Sequence, residues 1–386
     1  MGPLTGIRVV EFAGIGPGPM CAMLLADMGA TVLRLERQSP SGLGVPKAAR
    51  FDLLNRGRLS ASIDLKSAEG VALALDLVER ADALIEGFRP GTMERLGLGP
   101  SVCLERNPGL IYGRVTGWGQ EGPLARAAGH DLNYIGLTGV LHAIGRAGQP
   151  PTPPLNLIGD FAGGSLYLAL GIVCAMLEKQ RSGQGQVVDA AMIDGATSLA
   201  TVFFGLHAAG LLQERGANVL DSGAPYYDVY RCQDGKYVAV APIESKFRSE
   251  FYRLVGLDER QIPDAADRAN WPAIKEIVAA TLATRTQAQW CALIEESDAC
   301  FGPVLSFAEA PQHRHHRARQ TFVEIDGIVQ AAPAPRFSRT KPALPIPPEP
   351  AGRSTEPALA DWGIDAQRIA SLRNAGVIGV AQKTAG

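Results

Sequence analysis

The feature that most constrains this fold is a β-loop-α-β unit at the start of the chain. Residues 7–11 are β-branched and apolar and predict a strand, which residues 14–19 (GIGPGP) cannot continue. Residues 20–28 predict a helix, and residues 31–36 (TVLRLE) predict a second strand. The alternation continues, with strands at 60–65, 83–87 and 110–116 and helices at 68–81 and 91–96. Strands alternating with helices predict a doubly wound parallel α/β sheet.

The later part of the chain has a different pattern. Residues 226–241 predict a hairpin with an Asp-Gly turn, and three amphipathic helices follow. We therefore expect a smaller α+β domain at 225–320. The large domain is expected at 1–200 and completed by 325–386, with 201–224 as a linker.

Charge and hydropathy exclude several classes of protein. Lys and Arg number 37 against 39 Asp and Glu, so the net charge is −2 and no basic excess is present to bind nucleic acid. The longest apolar run, 161–177, is slightly short for a membrane span and carries three glycines, which favours a buried core helix. The six cysteines are scattered and the start lacks a signal-peptide pattern, so we expect a cytoplasmic protein.

The turn at 14–19 is a weak match to a dinucleotide-binding loop. Its spacing is G-x-G-x-G, and Pro17 and Pro19 lack the N–H groups that a pyrophosphate needs. We favour a plain tight turn over a nicotinamide site. Arg34 and Arg37, in and just after the second strand, suit a phosphorylated ligand, and solvated surface arginines are the equally weighted alternative.

The cluster HRHHR at 313–317 invites a metal interpretation. Arg314, Arg317 and Arg319 would repel a cation, so we expect no metal site there or elsewhere.

Long segments in order resemble the family III CoA-transferases. The segments are LTGIRVVEFAGIGPGPMCAMLLADMGATVLRLER (4–37), NRGRLSASIDLKS (55–67), IEGFRPGTMERLGLGP (85–100), GRVTGWGQEGP (113–123) and VVDAAMIDG (187–195). Within that superfamily, AAGHDLNYIGLTGVLHAIG (127–145) and PPLNLIGDFAGGS (153–165) resemble α-methylacyl-CoA racemases. The histidine in GHDLNY distinguishes the racemases from the transferase branch.

The resemblance implies an architecture and a partner. It implies a Rossmann-like large domain joined to a small domain, with two chains interlocked as a homodimer. The active site would lie between the large domain of one chain and the small domain of the other. The implied substrate is an acyl-CoA, and no cofactor is expected because CoA is part of that substrate.

The implied reaction moves a proton at the carbon next to a thioester. Inverting that carbon requires one acid/base group on each face. The resemblance assigns these roles to His130 and Asp160, with Glu244 orienting the imidazole. From the residues alone, His130 is an ordinary hydrogen-bonded histidine and Asp160 a helix N-cap. An apolar pocket beside Phe161 would raise the pKa of Asp160 and a helix N-terminus would lower it, which the sequence leaves open.

The resemblance also implies a set of binding residues. They are Arg37, Ile63, Asp64, Leu65, Lys66, Gly87, Phe88, Arg89, Arg95, Gly129, Asp131, Leu132, Asn133, Tyr134 and Asn156. The arginines can bind the phosphates of CoA bidentately, and Lys66 can act as a point charge. The basic helix at 313–317 is either solvated or in contact with CoA.

Two alternatives remain open at this point. One is a CoA-transferase in which Asp160 is the nucleophile, and the other is a catalytically inactive CoA-binding protein. The sequence does not define the acyl chain, because an apolar tail is recognised only weakly.

Overall fold

A computed structural model of the chain describes residues 2–39 and 42–379 and contains a six-stranded parallel sheet. Its strands are β1 Arg8–Phe12, β2 Thr31–Glu36, β3 Arg58–Ser62, β4 Ala83–Glu86, β5 Ile111–Thr116 and β6 Gln186–Ala191. They lie in the order β3-β2-β1-β4-β5-β6. This is the strand order of the doubly wound nucleotide-binding folds. The predicted parallel α/β sheet is confirmed.

Helices cover both faces of this sheet. Successive side chains of a strand point to opposite faces, so Val10 packs in one core with Leu73 and Trp362, while Val9 packs in another with Leu25. The helices of this part of the chain are α1 Pro17–Asp27, α2 Ala68–Glu79, α3 Thr92–Arg95, α4 Pro100–Arg106 and α5 Asp131–Leu137. The short helix α6 Val140–Ala143 follows α5. The remaining helices of this part of the chain are α7 Tyr167–Ser182, α8 Met192–Leu199, α14 Thr355–Asp361 and α15 Ala366–Asn374.

The first three strands carry buried charged side chains that pair with one another. Glu11 and Arg34 are opposite in register, and Arg34 Nη1 donates to Glu11 Oε1 at 2.9 Å. Arg58 Nη1 donates to Glu11 Oε2 at 2.7 Å, and Arg34 also pairs with Glu36. Arg34 is therefore engaged inside the protein, so both its assignment to a phosphorylated ligand and the alternative of a solvated surface arginine are wrong. The sheet is covered on both faces, so an arginine within β2 is buried and must pair internally.

The structure divides into two compact units. One comprises 2–39, 42–138, 155–199 and 320–379, and the other 139–154 and 200–319. The second unit contains an antiparallel sheet of β7 Asp228–Arg231, β8 Tyr237–Val240 and β9 Phe301–Val304. Its further helices are α9 Thr201–Ala208, α10 Ser245–Val255, α11 Trp271–Leu282, α12 Gln287–Ile294 and α13 Arg314–Arg319. The domain boundaries given above stay a prediction, since compactness does not establish independent folding.

Short elements complete the description. A hairpin of β10 Phe322–Ile325 and β11 Ile328–Ala331 belongs to the first unit. The 3₁₀ turns are Ala49–Phe51, Leu53–Asn55, Glu259–Gln261, Arg268–Asn270 and Ala310–Gln312.

One predicted helix has an unexpected form. The sequence predicts a single α-helix from residue 160 to about residue 180, whereas Leu157–Leu166 is a π-helix that continues into α7. π-helical segments are rare and occur often at functional sites. The sequence also predicts one helix near 193–212, and the structure divides this segment into α8 and α9.

The same stretch is the one candidate membrane span among the described residues. Leu157–Ser182 is long and apolar enough to cross a bilayer; its most apolar 18-residue window has a mean hydropathy of 1.7, and 33% of that window is buried within the protein. Because core helices of soluble proteins have the same length and composition, this stretch does not by itself imply a span.

Candidate active site

Asp160 lies in the first turn of the π-helix and is held from two sides. Its carboxylate Oδ2 accepts a hydrogen bond from Asn156 Nδ2 at 3.0 Å. Its backbone N–H donates to Asp131 Oδ2 at 2.7 Å. This amide is therefore already engaged and is not available to a ligand oxygen. The contact also ties the π-helix to the start of α5.

Burial raises the pKa of the Asp160 carboxyl above its ordinary value. The Asn156 hydrogen bond opposes the rise, the negative charge of Asp131 adds to it, and nearby His130 opposes it. Desolvation is the largest of these causes and sets the upward direction of the shift in pKa. A carboxyl with a raised pKa is suited to accept and return a proton near neutral pH.

His130 directly precedes α5, and its main chain is fixed there. Its backbone N–H donates to Asn133 Oδ1 at 3.0 Å, so Asn133 orients the histidine. The histidine is exposed, whereas Asp131 next to it is buried. Because Asp131 binds the amide of Asp160, the chain brings the imidazole and the carboxylate into one region of the first unit.

Tyr134 packs beneath this region. Its hydroxyl donates to the backbone carbonyl of Gly129, and its ring meets Trp118 edge-on at 4.8 Å. A Cβ at Gly117 or Gly129 would lie 2.0 or 2.7 Å from the Tyr134 ring. Both glycines are therefore required for the packing. Burial raises the pKa of the Tyr134 hydroxyl, which keeps it protonated as a donor.

The π-helix rests on α8 through contact between two backbones. A Cβ at Gly195 would lie 2.0 Å from the carbonyl oxygen of Gly163, and one at Gly163 would lie 2.8 Å from the amide of Ala196. The sequence marked Gly195 only as part of a family motif. Its structural role is to let α8 approach the helix that carries Asp160.

The basic binding candidates follow the carboxyl ends of neighbouring strands, where doubly wound sheets bind their ligands. Arg37 follows β2, Lys66 lies beyond β3, and Arg89 lies beyond β4, all with exposed side chains. Arg95 is exposed at the end of α3. These positions can present positive charge to phosphates from one edge of the sheet.

The other binding candidates differ in how they could reach a ligand. Ile63 is 1% exposed and packs in the core, so only its main chain is available. Asp64 accepts a hydrogen bond from the backbone N–H of Lys66. Leu65 and Phe88 are half-buried, and Gly87 and Leu132 are exposed.

Glu244 belongs to the second unit, where it is exposed and immediately precedes α10. Its assignment as the partner of His130 stays a prediction.

Comparison with known proteins identifies the family. The model of CoA-transferase family III matches residues 4–355. This chain belongs to CoA-transferase family III. It is 43% identical to the α-methylacyl-CoA racemase of Mus musculus over 96% of each chain, and 41% identical to that of Homo sapiens over 97% of each chain. The racemase resemblance inferred from the sequence is confirmed.

A solved structure supports the family assignment. The crystal structure of a CaiB/BaiF family protein from Brucella suis matches with a TM-score of 0.81 and 26% identity, covering 94% of this chain and 99% of that one. The α/β architecture is therefore shared with the family.

The charge of Asp131 gives a pH prediction. Asp131→Asn keeps an acceptor for the Asp160 amide but removes a like charge, so the pKa of Asp160 falls. The acid limb of kcat/KM for the proposed reaction should then move to lower pH. Asn156→Ala removes a hydrogen bond that lowers this pKa, so the limb should move to higher pH. If the acid limb moved in the same direction in Asp131→Asn and in Asn156→Ala, the assignment of this limb to Asp160 would be contradicted.

Proposed function

We propose that this protein interconverts the (2R) and (2S) forms of 2-methylacyl-CoA thioesters. One acid/base group removes the α-proton, and the electron pair of the broken C–H bond moves into the thioester carbonyl to form an enolate. The conjugate acid on the other face then delivers a proton to the same carbon. His130 and Asp160 are the proposed pair, and each serves as base for one enantiomer and as acid for the other.

The observation that carries this proposal is the link from Asp131 to the amide of Asp160. It joins the segment that begins with His130 to the π-helix that bears the carboxylate. The electrostatic effect of His130 on Asp160 supports the same pairing. The curated relatives from mouse and human, at 43% and 41% identity, are named α-methylacyl-CoA racemases.

The CoA-binding surface is proposed at the carboxyl ends of β2, β3 and β4. Arg37, Lys66 and Arg89 would pair with the phosphates there, and Arg95 lies at the end of α3. Contacts to the phosphates stabilise the ground state and the transition state equally. Their loss should therefore raise KM more than it lowers kcat.

We also propose that a second copy of the chain completes the site, with Glu244 of that copy oriented toward His130. Exposed leucines on one side of the Leu157–Ser182 stretch, Leu166, Leu170 and Leu177, are each more than half exposed and suit an apolar interface. Sedimentation equilibrium should then report twice the 40.8 kDa mass of one chain. A monomer at micromolar concentration would contradict this part of the proposal.

Incubation with each enantiomer in heavy water tests the reaction. We expect deuterium at the α-carbon and formation of the opposite enantiomer from both. The competing CoA-transferase function predicts exchange of CoA onto an added free carboxylate, through a mixed anhydride and then an aspartyl thioester of CoA at Asp160. CoA exchange without α-deuterium would overturn the proposal, and CoA binding with neither reaction would indicate an inactive binding protein.

A further inference from the structure

The turn at 14–19 is left without a role by the proposed binding surface. It follows β1 at the carboxyl edge of the sheet, and it opens α1 with Pro17 and Pro19, which lack N–H groups. It is therefore poorly suited to cradle a phosphate. Its position beside the π-helix suggests a different use.

Gly16 lies directly against the carboxylate of Asp160. A Cβ built on Gly16 would be 3.1 Å from Asp160 Oδ2 and 3.4 Å from its carboxyl carbon. Contacts this short would displace the carboxylate by a few tenths of an ångström. The same oxygen accepts the hydrogen bond from Asn156, so the displacement would disturb that bond as well.

Ser165 connects the turn to the main chain of Asp160. Its hydroxyl oxygen lies 2.9 Å from the carbonyl oxygen of Pro17 and 2.9 Å from that of Asp160. The side chain is fully buried, and its one proton is shared between the two carbonyls. Ser165 thereby fixes the distance between the turn and the first turn of the π-helix.

The buried ion pair of Arg58 and Glu11 also holds the turn in place. Arg58 Nη1 donates to the carbonyl oxygen of Pro19 at 3.0 Å while it pairs with Glu11. The contacts therefore run from the buried pair to the turn, and from the turn to Asp160.

We propose that the turn at 14–19 is a positioning element that sets the location of the Asp160 carboxylate, through the bare Cα of Gly16 and the hydroxyl of Ser165. This inference rests on the proposed function and extends it. Gly16 and Ser165 are positioning residues, since neither needs to touch the substrate. Proton transfer depends steeply on the placement of the base, so a small displacement should reduce transfer on the Asp160 face only.

The test measures α-deuterium exchange separately for the two enantiomers of a 2-methylacyl-CoA. The variant Asp160→Asn first identifies the enantiomer whose proton Asp160 removes. We expect Gly16→Ala to slow exchange of that enantiomer by about tenfold or more while exchange of the other changes by less than about twofold. Ser165→Ala should show the same preference with a smaller loss.

Gly183→Ala is a control for alanine at a glycine of positive φ away from the site. Gly183 has φ 74° and ψ 1°, and a Cβ there meets nothing within 4 Å. Gly16 has φ 69° and ψ −118°, where alanine is more strained, so the ratio of the two exchange rates, and not the total loss of activity, carries the test. We expect Gly183→Ala to leave the ratio of the two exchange rates unchanged. If Gly16→Ala does not accumulate as folded protein, Ser165→Ala carries the test.

The outcomes separate this inference from the proposed function. Equal losses for both enantiomers in Gly16→Ala and Ser165→Ala, or no loss, would overturn the positioning role while leaving the reaction intact. Unchanged exchange in Asp160→Asn would instead overturn the proposed function.

Discussion

Asp160→Asn is expected to reduce interconversion of the two enantiomers by about 10²- to 10⁴-fold, which is the usual contribution of one positioned acid/base group. The amide is nearly the size of the carboxylate and can still accept the hydrogen bond from Asn156, so the fold should be retained. Chiral chromatography of the product acyl-CoA measures the rate. CoA affinity, measured by calorimetry, should stay within about twofold, because the proposed phosphate contacts at Arg37, Lys66 and Arg89 do not include Asp160.

A conservative variant supplies the control for this prediction. Lys179→Arg changes a basic side chain whose partner is Asp82, away from the site. It should leave interconversion unchanged. Full activity of Asp160→Asn would show that the carboxylate does not take part in the reaction.

Gly195→Ala is expected to destabilise the protein strongly. The added methyl group would lie 2.0 Å from the carbonyl oxygen of Gly163, which is backbone and cannot rotate away. Overpacking of this kind costs about 1–3 kcal/mol, and more where backbone must shift. Because the shift moves the π-helix, interconversion should fall together with the thermal unfolding midpoint.

Thr197→Ala is the comparison variant on the same helix. Thr197 is exposed, and substitutions at such positions usually change stability by less than about 0.5 kcal/mol. Equal unfolding midpoints for Gly195→Ala and Thr197→Ala would refute the close-packing account of Gly195.

The large α/β sheet was readable from the sequence because its signal is local. β1 and β2 are short, mainly apolar segments separated by a glycine-rich turn and a helix that Gly29 follows, and that alternation admits few other folds. The π-helix was not readable. The ten residues Leu157–Leu166 are too few for the longer period of a π-helix to be told from that of an α-helix, and the close approach of Gly163 to α8 is a long-range contact that local sequence does not contain.

The burial of Arg34 was missed for a related reason. An arginine between two leucines of a strand is consistent with a strand that has one solvated face. Only the register with Glu11, 23 residues earlier, shows that its charge is compensated inside the protein. Pairing across strands requires the topology, which a local pattern does not contain.

The candidate site was likewise predictable only where a local motif carries it, and not where its contacts join distant segments. The motifs GHDLNY and LIGDF identified His130 and Asp160 through the resemblance to a family. The Asp131 bond to the Asp160 amide spans 29 residues, and the Gly16 contact joins segments more than 140 residues apart. The resemblance implies that Asp131 contacts the ligand, and the structure adds a bond from Asp131 that holds the two segments together.

Face-resolved exchange in a pair of variants tests the central claim most directly. His130→Ala and Asp160→Asn are each incubated in heavy water with the separate enantiomers, and α-deuterium without inversion is measured by mass spectrometry and chiral separation. We predict a crossed pattern, in which each variant loses exchange of one enantiomer and retains exchange of the other. Loss of the same enantiomer in both variants, or of neither, would contradict an imidazole and a carboxylate acting on opposite faces of one carbon.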